Sequence, residues 1–108
     1  MSSPNHPLVQ AILDTGAALA EAVTAEMALE DARHTVKMAA IERIIKSGDN
    51  PLTGKPHSFS SAEATVSGDA EYSRHLSALR DAAAVRIFAR AKYDAALAAA
   101  RIDPAILA

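Results

Sequence analysis

The chain is 108 residues long and half apolar, yet only 4% aromatic, with no Trp and no Cys. A formal net charge of −2 and a pI near 6.0 exclude a global electrostatic pull toward nucleic acid or an anionic membrane. Without Cys there are no disulfides, thiolate metal sites or cysteine nucleophiles.

Roughly a quarter of the residues are Ala, which loses least on entering a helix. The composition therefore points to an all-α fold. It also points to a thin core, because Ala buries few atoms. The length suits one domain. Met1–Gln10 lacks the basic region and apolar stretch of a signal peptide, and no uninterrupted apolar run approaches the ~18 residues of a membrane span. A cytoplasmic protein with no membrane partner is the expectation.

Residues 1–6 read as a disordered lead, with Asn5 a candidate N-cap and Pro7 suited to a first helical turn. A long helix is expected over about 7–47. Leu8, Ile12, Leu19, Val23 and Met27 recur at three- and four-residue steps, and Met38, Ile41 and Ile45 resume that face. Between them, Glu30–Lys37 is polar. A second, narrower stripe runs through Ala18, Ala25, Ala32, Val36 and Ala39. Gly16 weakens the helix by ~1 kcal/mol relative to Ala but permits a close helix crossing. Lys46, Gly48 and Pro51 mark its end.

The elbow, 48–69, holds three of the four glycines together with Pro51 and Pro56. Gly48 to Lys55 has the outline of a phosphate-binding P-loop but fails its spacing. Five residues separate Gly48 from Gly54, and Pro56 replaces the hydroxyl that would hold magnesium. Pro51–Gly54 reads as a β-turn. Ser60 and Glu63 fit a capping box opening a short helix, about Ser61 to Val66, ended by Gly68. Lys55, His57 and the neighbouring serines form a polar cluster of the kind that holds an anion, although most such clusters are solvated.

Asp69 is the expected N-cap of a second helix over about 70–102, with Glu71 in its first turn. Tyr72, Leu76, Leu79, Ala83 and Ile87 read as one seam, with Phe88, Ala91, Ala95, Ala98 and Ile102 on a neighbouring face. Pro104 stops the helix at about residue 103, leaving 104–108 as a tail. Folding the chain about the elbow gives an antiparallel hairpin that sets Glu30 opposite Arg86, Glu26 opposite Arg90 and Arg43 near Glu71. His75 falls near Ile41. A lone hairpin leaves Ile, Phe and Leu exposed, and the remedy is self-association of two copies into a four-helix bundle.

No histidine pair has metal-ligand spacing, and Asp31–His34 lacks a matching half on the second helix. No catalytic residue, metal or cofactor is expected, so the chain reads as a non-enzyme. Arg80, Arg86, Arg90 and Lys92 form a basic track for an alternative role in nucleic-acid binding. That track lacks interleaved aromatics and faces neutralising acids.

The elbow string Asn50-Pro51-Leu52-Thr53-Gly54-Lys55-Pro56-His57-Ser58, continuing through Ser60-Ser61-Ala62-Glu63 to Glu71-Tyr72, resembles small proteins encoded in bacteriophage and prophage early regions. The likeness covers most of the chain, most closely from about Ala39 to Arg101. It implies a phage origin and a host or phage protein as partner, and it transfers no catalytic residue. The alternative it implies is an accessory role in phage recombination or replication. The elbow residues Asn50, Thr53, Lys55, His57, Ser58 and Phe59 are the expected partner contact, since their identities exceed what a plain connection requires.

Overall fold

The computed structural model describes residues 6–102. The expected cap at Asn5, the helix stop at Asp103–Pro104 and the tail lie outside them. The fold is all-α. Helix α1 (Pro7–Lys46) is followed by α2 (Phe59–Thr65), a 3-10 turn (Val66–Gly68) and α3 (Ala70–Ile102). Among the described residues the only extended pairing is an isolated bridge, Asp49 with Pro56.

Helix α1 begins at Pro7, where a missing N–H costs nothing. His6, expected within the disordered lead, instead caps it. Its carbonyl accepts the Gln10 N–H (2.9 Å) and its Nδ1 accepts the Leu8 N–H (3.1 Å). The other end closes with the Ser47 N–H donated to the Ile44 carbonyl (3.2 Å) and with Gly48 at φ +133°, a conformation that favours glycine.

Within α1 an 18-residue window reaches a mean hydropathy of 1.3, so by length and composition alone this helix is apolar enough to cross a membrane. Ala supplies much of that apolarity, and the same half of the helix carries Asp14 and Glu21. An Asp at a bilayer centre costs about 2.5–3.5 kcal/mol.

The chain divides into two compact units, one built from residues up to Glu26 together with those from Asp81 onward, the other from Met27–Arg80. In the first unit, α1 presents Leu8, Ile12, Leu19 and the buried Ala22, while α3 presents the buried Ala89 and Ala100 around the half-buried Tyr93. The two segments run antiparallel, since Gly16 meets Tyr93 and, ten residues on, Glu26 meets Arg86. A Cβ added at Gly16 would stand 3.2 Å from Tyr93 Cε1, so the glycine serves the close crossing that its position suggested. Gly16→Ala should change stability by less than about 1 kcal/mol, because helix propensity gained offsets the crowding. Gly16→Leu should displace the ring and cost about 1–3 kcal/mol, read as a lower urea midpoint.

The second unit holds the best-formed core. Ala40, Ile41, Ala62, Val66 and Tyr72 are buried together, with Val36, Ile44 and Leu76 packed against them. Helix α2 lies on the last turns of α1, and Lys37 Nζ reaches Glu63 Oε2 at 3.6 Å.

Two expectations about the seams require correction. The symmetric fold-back set His75 near Ile41, but His75 Nε2 lies 2.8 Å from the Leu29 carbonyl oxygen, twelve residues earlier on α1. A carbonyl only accepts, so this nitrogen carries the proton. At Ala40 and Ile41, α1 is covered by Ala62 and Val66 together with Tyr72 of α3. Likewise Arg86 pairs with Glu26 (2.6 Å), one turn from Glu30, while Glu30 pairs with Arg33 and Arg90 with Asp94, each on its own helix.

The second correction concerns the apolar faces. Met27 and Ile87, expected on apolar seams, are 58% and 60% exposed, whereas the exposure of Phe88 and Ile102 (63% and 81%) is what a lone hairpin leaves on its outer face. The α3 seam holds from Tyr72 through Leu76, Leu79 and Ala83, and beyond Ala83 it continues through Arg86, Ala89, Tyr93 and Ala100 instead of Ile87. A further step of four, from Ala83 to Ile87, drifts off that seam.

Candidate functional site

The elbow is an ordered, self-satisfied loop. Asn50 organises it. Its N–H donates to the Lys55 carbonyl (2.7 Å), its carbonyl accepts from the Thr53 and Gly54 N–H groups (3.2 and 2.8 Å), and its Oδ1 accepts the Leu52 N–H (3.0 Å). Thr53 Oγ1 accepts the Lys55 N–H at 3.3 Å. Gly54 has φ +69°, the left-handed value its turn needs. Each backbone N–H from Asn50 to Lys55 is thus donated inside the loop; Pro51 has none. A P-loop instead aims such groups outward at phosphate. Here the N–H groups of residues 50 and 52–55 point into the loop.

The short helix starts earlier than its capping pattern suggested. Ser58, not Ser60, is the N-cap of α2, and its side chain accepts from the Ser61 N–H (3.1 Å). Phe59 is then the first helical residue and borders a groove with Met38 and Ile45 of α1. His57 Nδ1 lies 3.1 Å from Ser61 Oγ.

Of the six elbow residues expected to contact a partner, Asn50, Thr53, His57 and Ser58 have local hydrogen-bonding roles. Lys55 is exposed, and Phe59 is 50% exposed. Leu52, not singled out for a partner, is 90% exposed at the tip. Phe59 also borders an apolar groove on α1 that includes His34, Met38, Ile41, Glu42 and Ile45. Phe59, Met38 and Ile45 are all more than a third exposed, so this groove is open to a partner.

Asp69 joins the elbow to α3 and to α1. Its Oδ2 accepts the Tyr72 N–H (2.9 Å), the expected N-cap bond. Both carboxylate oxygens take the Arg43 guanidinium, Nε at 3.1 Å and Nη2 at 2.7 Å, and Arg43 Nη1 also reaches Glu71 at 3.1 Å. The Arg43 fork, and after it the Tyr72 N–H, holds the Asp69 carboxyl below the usual carboxylate range. Arg33, beside Tyr72 and Glu30, is held more firmly protonated, first by Tyr72 and then by Glu30. These groups anchor the fold's joints, and each lines an open cavity: Arg43 and Asp69 one with Ser47 and Thr65, Glu30, Arg33 and Tyr72 another with His34 and Lys37.

The basic track of the alternative reading is not assembled as a cluster. Arg86 is paired with Glu26, and Arg90 with Asp94 at 3.3 Å. Lys92 Nζ sits 4.8 Å from the centroid of Phe88. Arg80 is exposed and belongs to the other unit. Among the described residues no group of three or more His, Asp or Glu side chains is placed to hold a metal.

A second groove, in the first unit, includes Asp14 and Ala18 from α1 and Val85, Phe88, Ala89 and Lys92 from α3. Comparison of the chain with protein-family models, curated proteins and solved structures finds no match.

Proposed function

We propose that this chain is a non-catalytic interaction protein, an antiparallel helical hairpin that pairs with a second copy in a four-helix bundle and acts through protein–protein contacts. The observation that carries this reading is the mismatch between core and surface. Five of the eight buried apolar residues described are Ala, whereas ten large apolar side chains, from Leu13 to Ile102, are more than a third exposed. Burying a Leu, Ile or Phe contributes about 1.5–3 kcal/mol, so covering these groups supplies what an Ala core lacks. The antiparallel neighbours within each unit support the hairpin.

A phage-encoded accessory factor or inhibitor of a host protein is the role that fits the elbow string. The Lys55→Ala/His57→Ala double variant tests the elbow as the partner contact. Its unfolding midpoint should match the native chain within about 0.5 kcal/mol, because neither side chain holds a buried position. In pull-downs from bacterial lysate the native bait should enrich a protein that the double variant loses. Equal enrichment by both baits removes the elbow from the contact.

A further inference from the structure

The groove of the first unit has an asymmetry that selects its occupant. One rim, on α3, is high: Val85 is 59% and Phe88 63% exposed, and Lys92 rests its ammonium 4.8 Å from the Phe88 ring centroid. The other rim, on α1, is low, formed by Asp14 and Ala18, with buried Ala89 on the floor. The rims also differ in charge, acid on the low one and base on the high one. Gln10 Nε2 holds the Asp14 carboxylate in place at 2.8 Å.

The two segments are antiparallel, so moving four residues along α1 from Asp14 matches moving four back along α3 from Lys92. Ala18 therefore stands to Phe88 as Asp14 stands to Lys92.

We infer that the occupant is the same groove of a second copy, related by a two-fold axis parallel to the helices. That operator lays α1 of each copy on α3 of the other without changing level. The second copy's Phe88 then fills the depression over Ala18, and its Lys92 meets Asp14, each contact occurring twice. A two-fold axis perpendicular to the helices would stack high rim on high rim and low on low, with no unlike charges brought together. This inference rests on the self-association reading and names the face and symmetry that reading leaves open.

The test is sedimentation equilibrium on the native chain, Asp14→Lys, Lys92→Asp and an equimolar mixture of the two variants, with helicity checked by circular dichroism. Each variant alone places like charges together twice and should dimerise about tenfold or more weakly. The mixture should regain near-native association, because each mixed pair restores both unlike contacts. Phe88→Ala, at a largely exposed position, should stay folded and dissociate. A native dimer unaffected by these changes, or a mixture no tighter than either variant alone, overturns this face and leaves self-association standing. A native chain that is monomeric up to about 0.1 mM removes self-association itself, and this face with it.

Discussion

Ile41→Ala should lower the unfolding free energy by about 2–5 kcal/mol, the largest single-residue effect expected in this chain. Ile41 is 1% exposed and is the one large side chain described that is fully buried. It packs among Ala40, Ala62, Val66 and Tyr72, with Val36, Ile44 and Leu76 against them, so its truncation opens a cavity at the centre of the cluster. A domain of this size has about 5–15 kcal/mol in all. At roughly 4–8 °C per kcal/mol, the thermal midpoint should fall by at least ~8 °C. The loss should appear first as opening of α2, whose seat on α1 is this cluster. Leu52→Ala, at a 90% exposed position, is the control and should move the midpoint by less than ~4 °C. A similar shift for both would mean that the Ile41 cluster does not hold α2.

Asp69→Ala should cost about 0.5–2 kcal/mol from the lost N-cap of α3 alone, and more once the Arg43 fork goes with it. The charge makes this stabilisation pH-dependent. The folded-state carboxyl is held below its unfolded value, so its contribution is complete at neutral pH and above. It begins to fall as pH drops through the unfolded value near ~4, and it is lost as pH passes the lower folded value. Asp69→Asn keeps a competent cap but removes that charge. Urea midpoints should therefore separate native chain and Asp69→Asn at pH 7 and converge toward pH 2. A gap that persists undiminished in acid would show that the cap geometry, not the ion pair, carries the effect.

The joints of this fold were legible in the sequence because each uses local chemistry. Asp69 three residues before Tyr72, Gly48 past the last turn of α1, and the turn through Pro51, which closes on the Asn50 carbonyl one residue before its expected start, act over a few residues. The seam was harder to read because it runs through Arg86 and Glu26, which look like surface residues until they meet. An even stripe of Ala also gives periodicity little contrast. The register shift could not be read from sequence because α2 and α3 share the flank of α1 at Ala40 and Ile41, a tertiary effect.

At the elbow, the excess of Asn, Thr and Ser that suggested a binding site is largely accounted for by loop closure and capping. What stays outward there is Leu52, Lys55 and half of Phe59. The open apolar grooves were only partly visible beforehand, since Met38 and Ile45 read as part of the apolar face of α1, and Phe88 as lying on a face beside the α3 seam.

Self-association is the centre of this account, and the mass of the native chain in solution tests it most directly. Sedimentation equilibrium across the micromolar range should return twice the 11.3 kDa chain mass, with dissociation on dilution. A single species at the chain mass up to about 0.1 mM would contradict it.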